Sequence, residues 1–564
     1  MKLTSDGLAI FNARYAAKDD QGQVIETPDQ AVTRISQAAA RAEKDDTSRS
    51  YWQGIFADII DRRWFVPSTP IWANMGKPNR LQQPAACFVL ELQDDLQAMY
   101  QTLLESAIIA KYGGGIGYNF SPIRPKGDLI RTTKGCASGP VELIRLYNCS
   151  AAMIKQGGIR RGAYMAILDC SHPDILDFIA CKMTGEITNF TLSVGISDDF
   201  MHRLARDETW ELHFGGKVRK TLPAVELWRN IVTMAWSRGD PGLIFLDRIQ
   251  EDNPIPSRPL RATNPCGEQP LGHGESCLLG SINLAQMLDN GNGDVDWQRL
   301  AHTARIAVRF LDNLIDSGEY PFAYIAENTR ASRKIGIGIM GLHDLLLRLQ
   351  IPYDSEEGRK KSSRIMAYIR TEVHAASAEL GLEKGNFPLW EQSVFARDHS
   401  PHRNASCLTI APTGTISVLA GAEGYGIEPI FAVAYSKQYV QDGRTNSLNV
   451  FSPLFLAACK ERGISAADLK EVAARGSCQN AAGIPEDLQR LYKGAREIDP
   501  LDHLAMQVEL QKHVDNAISK TINLPAEAGP EMVDHIFRQA WEQGLKGITV
   551  FRASSIPGVI KVGR

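Results

Sequence analysis

Apolar residues recur at helical spacing from the start of the chain to about residue 65. The pattern predicts helices there, with 31–42 and 51–62 each apolar along one face. Lys44-Asp45-Asp46-Thr47-Ser48 forms a polar break between them. Two further amphipathic helices follow. Leu96, Met99, Tyr100, Leu103, Ala107 and Ile108 share one face of the first, and Ile144, Tyr147, Ala151 and Ile154 share one face of the second. Beyond about residue 160, short apolar runs alternate with helical stretches. Strands are predicted at 164–168, 191–196, 334–340 and 406–411, and helices at 296–316, 341–349 and 357–380. Such alternation predicts an α/β fold with buried strands. It fits an open sheet and a barrel equally.

Composition narrows the class. A chain of 564 residues exceeds an ordinary single domain and predicts two or three domains or one large barrel. Hydrophobic content of 44% and charged content of 23% are those of a globular protein. A net charge of −3 gives no basic surface for a nucleic-acid polymer. No run approaches a membrane span, and Met1-Lys2-Leu3-Thr4-Ser5-Asp6 does not open a signal peptide, so a cytoplasmic enzyme is expected. Ten cysteines without dense, regular spacing suit a reducing compartment. Neither Cys-x-x-Cys nor His-Glu-x-x-His is present, so no protein-held metal is expected.

The densest chemistry lies in Asn264-Pro265-Cys266-Gly267-Glu268. In extended backbone, side chains alternate faces, so Asn264, Cys266 and Glu268 are expected on one side. Pro265 favours an extended Asn264, and Gly267 lets backbone or ligand approach closely. One surface then carries an amide, a thiol and a carboxylate. A second candidate is Pro412-Thr413-Gly414-Thr415-Ile416-Ser417, which follows a predicted strand and opens a helix; its N–H and hydroxyl groups suit a phosphate. It is not a Walker A loop, because no Gly-Lys-Ser/Thr follows. Gly113-Gly114-Gly115-Ile116-Gly117 lacks the Gly-x-Gly-x-x-Gly order of a dinucleotide site.

These motifs, with Gln269-Pro270-Leu271, Phe65-Val66-Pro67-Ser68-Thr69-Pro70, Ala86-Cys87-Phe88 and Ser519-Lys520-Thr521-Ile522-Asn523-Leu524-Pro525, follow one another in an order that resembles the ribonucleotide reductases. The resemblance runs from about residue 1 to residue 552. It implies a ten-stranded α/β barrel of two antiparallel five-stranded parallel halves, with a central finger loop at 264–268. A helical region at 1–66 would precede a barrel over 67–552, with 553–564 as tail. The implied reaction reduces ribonucleotides, diphosphates favoured, to 2′-deoxyribonucleotides through a thiyl radical. Cys266 would carry the radical, Glu268 would act as general base and Asn264 would orient the sugar hydroxyls. Cys87 and Cys277 would form the dithiol that becomes a disulfide. Ser68, Thr69, Ala86, Gly115 and Pro412 to Ser417 (Pro412, Thr413, Gly414, Thr415, Ile416, Ser417) would bind substrate. Cys136, Cys149, Cys170, Cys181, Cys407, Cys459 and Cys478 match no redox position and are expected to be structural.

The resemblance also bears on the radical source and on control. Iron- or manganese-dependent (class I) catalytic chains carry two adjacent tyrosines where this chain has Val550-Phe551. Neither residue has a phenol to oxidise, and no glycyl-radical motif surrounds Gly558 or Gly563. Class II remains, with adenosylcobalamin as cofactor. The alternatives are a class I subunit needing a metal-bearing partner, or a catalytically inactive nucleotide-binding regulator; intact Asn264, Cys266 and Glu268 speak against the second. Asp94, Arg124 and Arg131 fall where a deoxynucleoside triphosphate effector would bind, and Lys155 to Gly162 resembles the loop that relays its identity. The two amphipathic helices would pair across a homodimer axis. No separate N-terminal ATP-cone is expected, and a thioredoxin-like or small dithiol reductant is implied. The family's usual paired-cysteine tail is expected to be truncated or supplied separately.

Overall fold

The computed structural model describes residues 1–156, 160–161, 163–289, 291–441 and 444–553. The N-terminal region is helical, as its apolar stripes predict. Helix α1, Pro28–Ala40, opens on a capping box in which Thr27 accepts from the Gln30 N–H and the Gln30 side chain accepts from the Thr27 N–H. The polar break supplies the next cap: Asp45 accepts from the Ser48 N–H at 2.7 Å and starts α2, Asp46–Asp61. Ala31, Val32, Ile35, Phe56, Ile59 and Ile60 bury their side chains in the main core. Phe56 packs edge-on against Phe310, with ring centroids 5.3 Å apart.

A buried ion cluster ties this region to the rest. Arg309 donates to both oxygens of Glu43 at 2.8 and 2.7 Å, and Asn313 and Lys384 add bonds at 2.8 and 3.1 Å. Burial alone would raise the Glu43 carboxyl. The Arg309 and Asn313 bonds and the Lys384 charge outweigh it and hold the group at about 2.

Ten strands form the central sheet. After β1 (Phe65–Pro67) come β2 (Cys87–Val89), β3 (Gly115–Asn119), β4 (Tyr164–Asp169), β5 (Phe190–Ile196) and β6 (Gly242–Phe245). From β2 to β6 each strand runs parallel to the next. The others are β7 (Ser276–Asn283), β8 (Ile335–Met340), β9 (Thr521–Leu524) and β10 (Gly547–Arg552); β7 is parallel to β8 and β9 to β10. The two groups meet antiparallel, β7 on β2 and β10 on β6, and β1 also lies antiparallel on β7. Every residue of β7 is buried, its polar Ser276, Ser281 and Asn283 included.

The predicted strands at 164–168, 191–196 and 334–340 correspond to β4, β5 and β8. The segment 406–411 does not become a regular strand. It makes isolated parallel bridges, Ile337 to Leu408 and Ile410 to Ile518, and so links β8 to the chain entering β9.

Helix α3, Leu96–Lys111, and helix α4, Pro140–Met153, are present, but their stripes divide. Ile144, Tyr147 and Ala151 are buried and Met99 and Leu103 pack against the core, whereas Leu96 and Tyr100 are 71% and 55% exposed. Leu104, Leu146 and Met153 are exposed as well. Among the described residues, no helix is long and apolar enough to cross a membrane.

Candidate active site

The Asn264 to Glu268 segment is the tip of a hairpin whose arms, Ala262–Thr263 and Pro270–Leu271, pair antiparallel. The Gly267 N–H donates to the Asn264 carbonyl at 3.0 Å, closing a β-turn over Pro265 and Cys266. Asn, Pro and Gly occupy positions favoured in such a turn. The expected extended alternation is therefore corrected. A turn, with Gly267 at φ +81°, brings the three side chains together. Asn264 and Glu268 are buried at 3% and 2% exposure, while Cys266 at the apex is exposed.

Neighbouring strands fix the tip. Asn264 Oδ1 accepts from the Gln269 N–H at 3.0 Å, and its Nδ2 donates to Cys87 Sγ at 3.2 Å. The Glu268 carbonyl accepts from the Thr409 hydroxyl at 2.7 Å and from the Ala517 N–H at 2.9 Å. The hairpin also presses against β3. A Cβ on Gly117 would stand 1.6 Å from the Thr263 carbonyl oxygen, and one on Gly115 would stand 3.0 Å from the Pro265 ring. The glycine run is therefore a seat for the hairpin.

Cys87 and Cys277 are directly opposed on β2 and β7, and both thiols are free. Opposed residues hold their Cβ atoms ~4.5–5.5 Å apart, against the ~3.5–4.5 Å of a disulfide, so bonding needs only a small approach. Burial pushes both thiols well above the ordinary range. Nearby Glu268 raises Cys87 further, while Lys334 opposes the rise at Cys277. Burial likewise raises Glu268 to about 7, against the lowering effect of a bond from Asn264, and its Oε2 has no hydrogen-bond partner among the described residues.

A cavity of about 1130 Å³ joins these groups. Ser68, Thr69, Ala86, Cys87, Gly115, Asn264, Cys266 and Glu268 lie on its wall, and Pro412, Thr413, Gly414, Thr415 and Ile416 form one end. Two predicted residues stand apart from the wall. Cys277, beside Cys87 on the next strand, has no exposure, and Ser417 is buried in the short helix Gly414–Ala420, its hydroxyl 2.8 Å from Thr413 Oγ1. Thr413 itself adopts φ +55°, with Oγ1 accepting from the Gly426 N–H at 2.7 Å.

The sequence did not flag the cationic part of the wall, Arg14, Lys18, Lys77, Arg80 and Lys111. Arg14 donates to Thr415 at 3.4 Å and Lys77 to the Tyr15 carbonyl at 2.6 Å. Burial, helped by the Arg34 charge, lowers the Lys77 ammonium to about 7. Docking of the N-terminal region brings Arg14 and Lys18 here, and no local spacing announces that. Of the predicted effector residues, Asp94 and Arg124 pair with each other at 2.7 Å, and Arg131 is exposed. Residues 157–159 and 162 of the expected relay loop, and 554–564 of the tail, lie outside the described residues.

Residues 1–80 match the family model "Ribonucleotide reductase, all-alpha domain" and residues 85–551 match "Ribonucleotide reductase, barrel domain". The chain belongs to the ribonucleotide reductase family. Within that family it is 43% identical to the vitamin B12-dependent ribonucleoside-diphosphate reductase of Mycobacterium tuberculosis (strain CDC 1551 / Oshkosh), over 99% of this chain and 81% of the relative. It is 37% identical to the protein of the same name from Thermoplasma acidophilum, over 98% of this chain and 79% of that one. Among solved structures, the alpha subunit of the Actinobacillus ureae class Id ribonucleotide reductase superposes with a TM-score of 0.79 at 21% identity. That match covers 98% of this chain and 97% of the other. The last comparison shows a shared reductase fold.

Proposed function

We propose that this chain reduces ribonucleotides, diphosphates by preference, to 2′-deoxyribonucleotides by thiyl-radical chemistry with adenosylcobalamin. The carrying observation is the exposed thiol of Cys266, at a hairpin tip between buried Glu268 and the Cys87–Cys277 pair, on one large cavity. The substrate diphosphate sits at Pro412 to Ile416 and its ribose over the tip, with Ser68, Thr69, Ala86 and Gly115 along its side. Cys266, as a thiyl, takes the 3′ hydrogen atom. Glu268 takes the 3′-hydroxyl proton, and Asn264 orients the hydroxyls. The 2′-hydroxyl leaves as water with a proton from Cys87. Cys277 then gives a hydrogen atom to C2′ as its sulfur joins that of Cys87. The remaining electron of the pair and the proton held by Glu268 go back to the 3′ carbonyl, which completes the disulfide, and Cys266 returns the hydrogen atom to C3′.

The residues fit the cobalamin cofactor. Cys266 faces a cavity larger than the ~300–1,000 Å³ of ordinary small-molecule sites, so room remains beside a nucleotide. On β10, Val550 and Phe551 offer no phenol for a radical relay. When bound, adenosylcobalamin supplies a carbon radical by cobalt–carbon homolysis, and Cys266 and the walls around it would face the group.

Larger-scale features belong to the same reading. The bridges at Leu408 and Ile410 support closure of the sheet into a ten-stranded barrel around the hairpin, with 1–66 as the helical region and 67–552 as the barrel. Exposed Leu96, Tyr100 and Leu104 on α3, with Leu146 and Met153 on α4, support a self-complementary homodimer face. Asp94, Arg124 and Arg131 suit a deoxynucleoside triphosphate effector beside that face. A thioredoxin-like or small dithiol restores the disulfide. The test is purified chain with adenosylcobalamin, dithiothreitol and a ribonucleoside diphosphate, with no second protein added. Deoxyribonucleotide is expected; a requirement for a metal-bearing partner would overturn the cobalamin assignment.

A further inference from the structure

We propose that Lys334 is a positioning residue that sets the direction of disulfide exchange at Cys87 and Cys277. An external dithiol attacks Cys87, and Cys277 departs as the thiolate beside the Lys334 ammonium. The inference rests on the dithiol role given above. In the β7–β8 register Leu278 lies beside Ile335; Cys277 and Lys334 are the residues just before that first pair, and Lys334 is the leading charge at Cys277. Side chains of laterally adjacent residues in a sheet share a face. Lys334 is 2% exposed and Cys277 not at all, so water does not screen the pair. The preceding Arg333 is taken up by Asp312 and Asp316 at 2.9 and 2.7 Å, and Lys334 is the leading positive charge at Cys277.

Asymmetry between the two sulfurs gives the direction. Cys87 is on the cavity wall, whereas Cys277, beside it on the next strand, is off the wall with no exposure, so an incoming thiolate meets Cys87 first. Charge points the same way. Glu268 is the leading charge at Cys87 and disfavours a thiolate there, whereas Lys334 is the leading charge at Cys277 and favours one. The other groups that Cys277 senses are Glu268, Glu275 and Cys407, and all of them act against the thiolate. Glu275 accepts from Lys334 Nζ at 2.7 Å and from the Gly272 N–H at 2.8 Å, so it anchors the ammonium while partly offsetting its charge.

The step balances. The reductant thiolate bonds to Cys87 Sγ as the Cys87–Cys277 bond breaks, and the electron pair leaves on Cys277. The reductant's second thiol gives up its proton and, as a thiolate, attacks its own sulfur in the mixed disulfide and releases Cys87; the two protons that the reductant's thiols lost end on Cys87 and Cys277. The reductant ends as a disulfide and the enzyme as a dithiol.

The test starts from chain oxidised by turnover without reductant. Glutathione, a monothiol, traps the sulfur that is attacked, and peptide mass spectrometry is expected to find it on Cys87. Lys334→Met with Glu275→Gln removes both charges without stranding either, and reduction by dithiothreitol should slow roughly tenfold. Glu275→Gln alone leaves the ammonium unopposed and should speed reduction, while Lys334→Arg should stay near wild type. Opposite signs for the first two variants are not what loosened packing would produce. Glutathione on Cys277, or equal rates across the variants, would overturn the inference while leaving the dithiol role intact. Failure of turnover to form any Cys87–Cys277 disulfide would overturn both.

Discussion

Glu268 is enclosed, with one carboxylate oxygen unpartnered among the described residues, and that burial sets its carboxyl at about 7. The consequence for stability has a definite sign. Between the ordinary value of 4.5 and about 7, the folded chain keeps a proton that the unfolded chain loses. Stability from this group is thus full below 4.5 and falls as pH rises through the window, by about 3 kcal/mol in all. Glu268→Gln is expected to flatten that dependence, so denaturant unfolding at pH 8 should need more free energy than wild type while unfolding at pH 4 changes little. The same change should cut kcat by about 10²-fold or more, the usual worth of a positioned base. The base must be ionised to work, so wild-type kcat/KM should rise with pH through about 7. Asn264, Cys266 and Glu268 were legible in the sequence as a matched trio. Their geometry was not, because two-residue spacing suggested a strand where Pro265 and Gly267 make a turn.

At the scale of elements, the hairpin and β3 define each other. The space above Gly117 is filled by the Thr263 carbonyl, so even a methyl group there forces the hairpin off its seat. Gly117→Ala is expected to keep helical content, measured by circular dichroism, yet to lower deoxyribonucleotide formation at least tenfold by shifting the Cys266 tip. Unchanged activity in a folded Gly117→Ala chain would mean that the hairpin does not depend on this contact. The glycine run was visible in the sequence. What it accommodates could not be read locally, since Thr263 lies far along the chain. The same limit applies to 406–411. Its apolar character predicted a strand, but its pairing is restricted to single bridges with β8 and with Ile518. Arg14 and Lys18 come to the cavity wall with the N-terminal region, which the Glu43–Arg309 pair ties to the rest of the chain.

For the whole molecule, the apolar residues left outside the core are as informative as those within it. Helical periodicity found α3 and α4, but it could not tell which part of each stripe faces inward; Leu96 and Tyr100 face out. If that face joins two copies, Tyr100→Asp with Leu104→Asp should shift the sedimenting species from dimer to monomer and leave secondary structure unchanged. Arg124→Ala should blunt any effector-driven change in substrate ranking more than basal turnover, by a coupling of about 1–3 kcal/mol. The most direct measurement compares wild type with Cys266→Ser, each with adenosylcobalamin, dithiothreitol and a ribonucleoside diphosphate. An alcohol O–H bond is too strong to serve as the hydrogen carrier, so the variant should bind nucleotide as wild type does and form no deoxyribonucleotide. Appreciable product from Cys266→Ser, with contaminating enzyme excluded, would contradict the thiyl assignment.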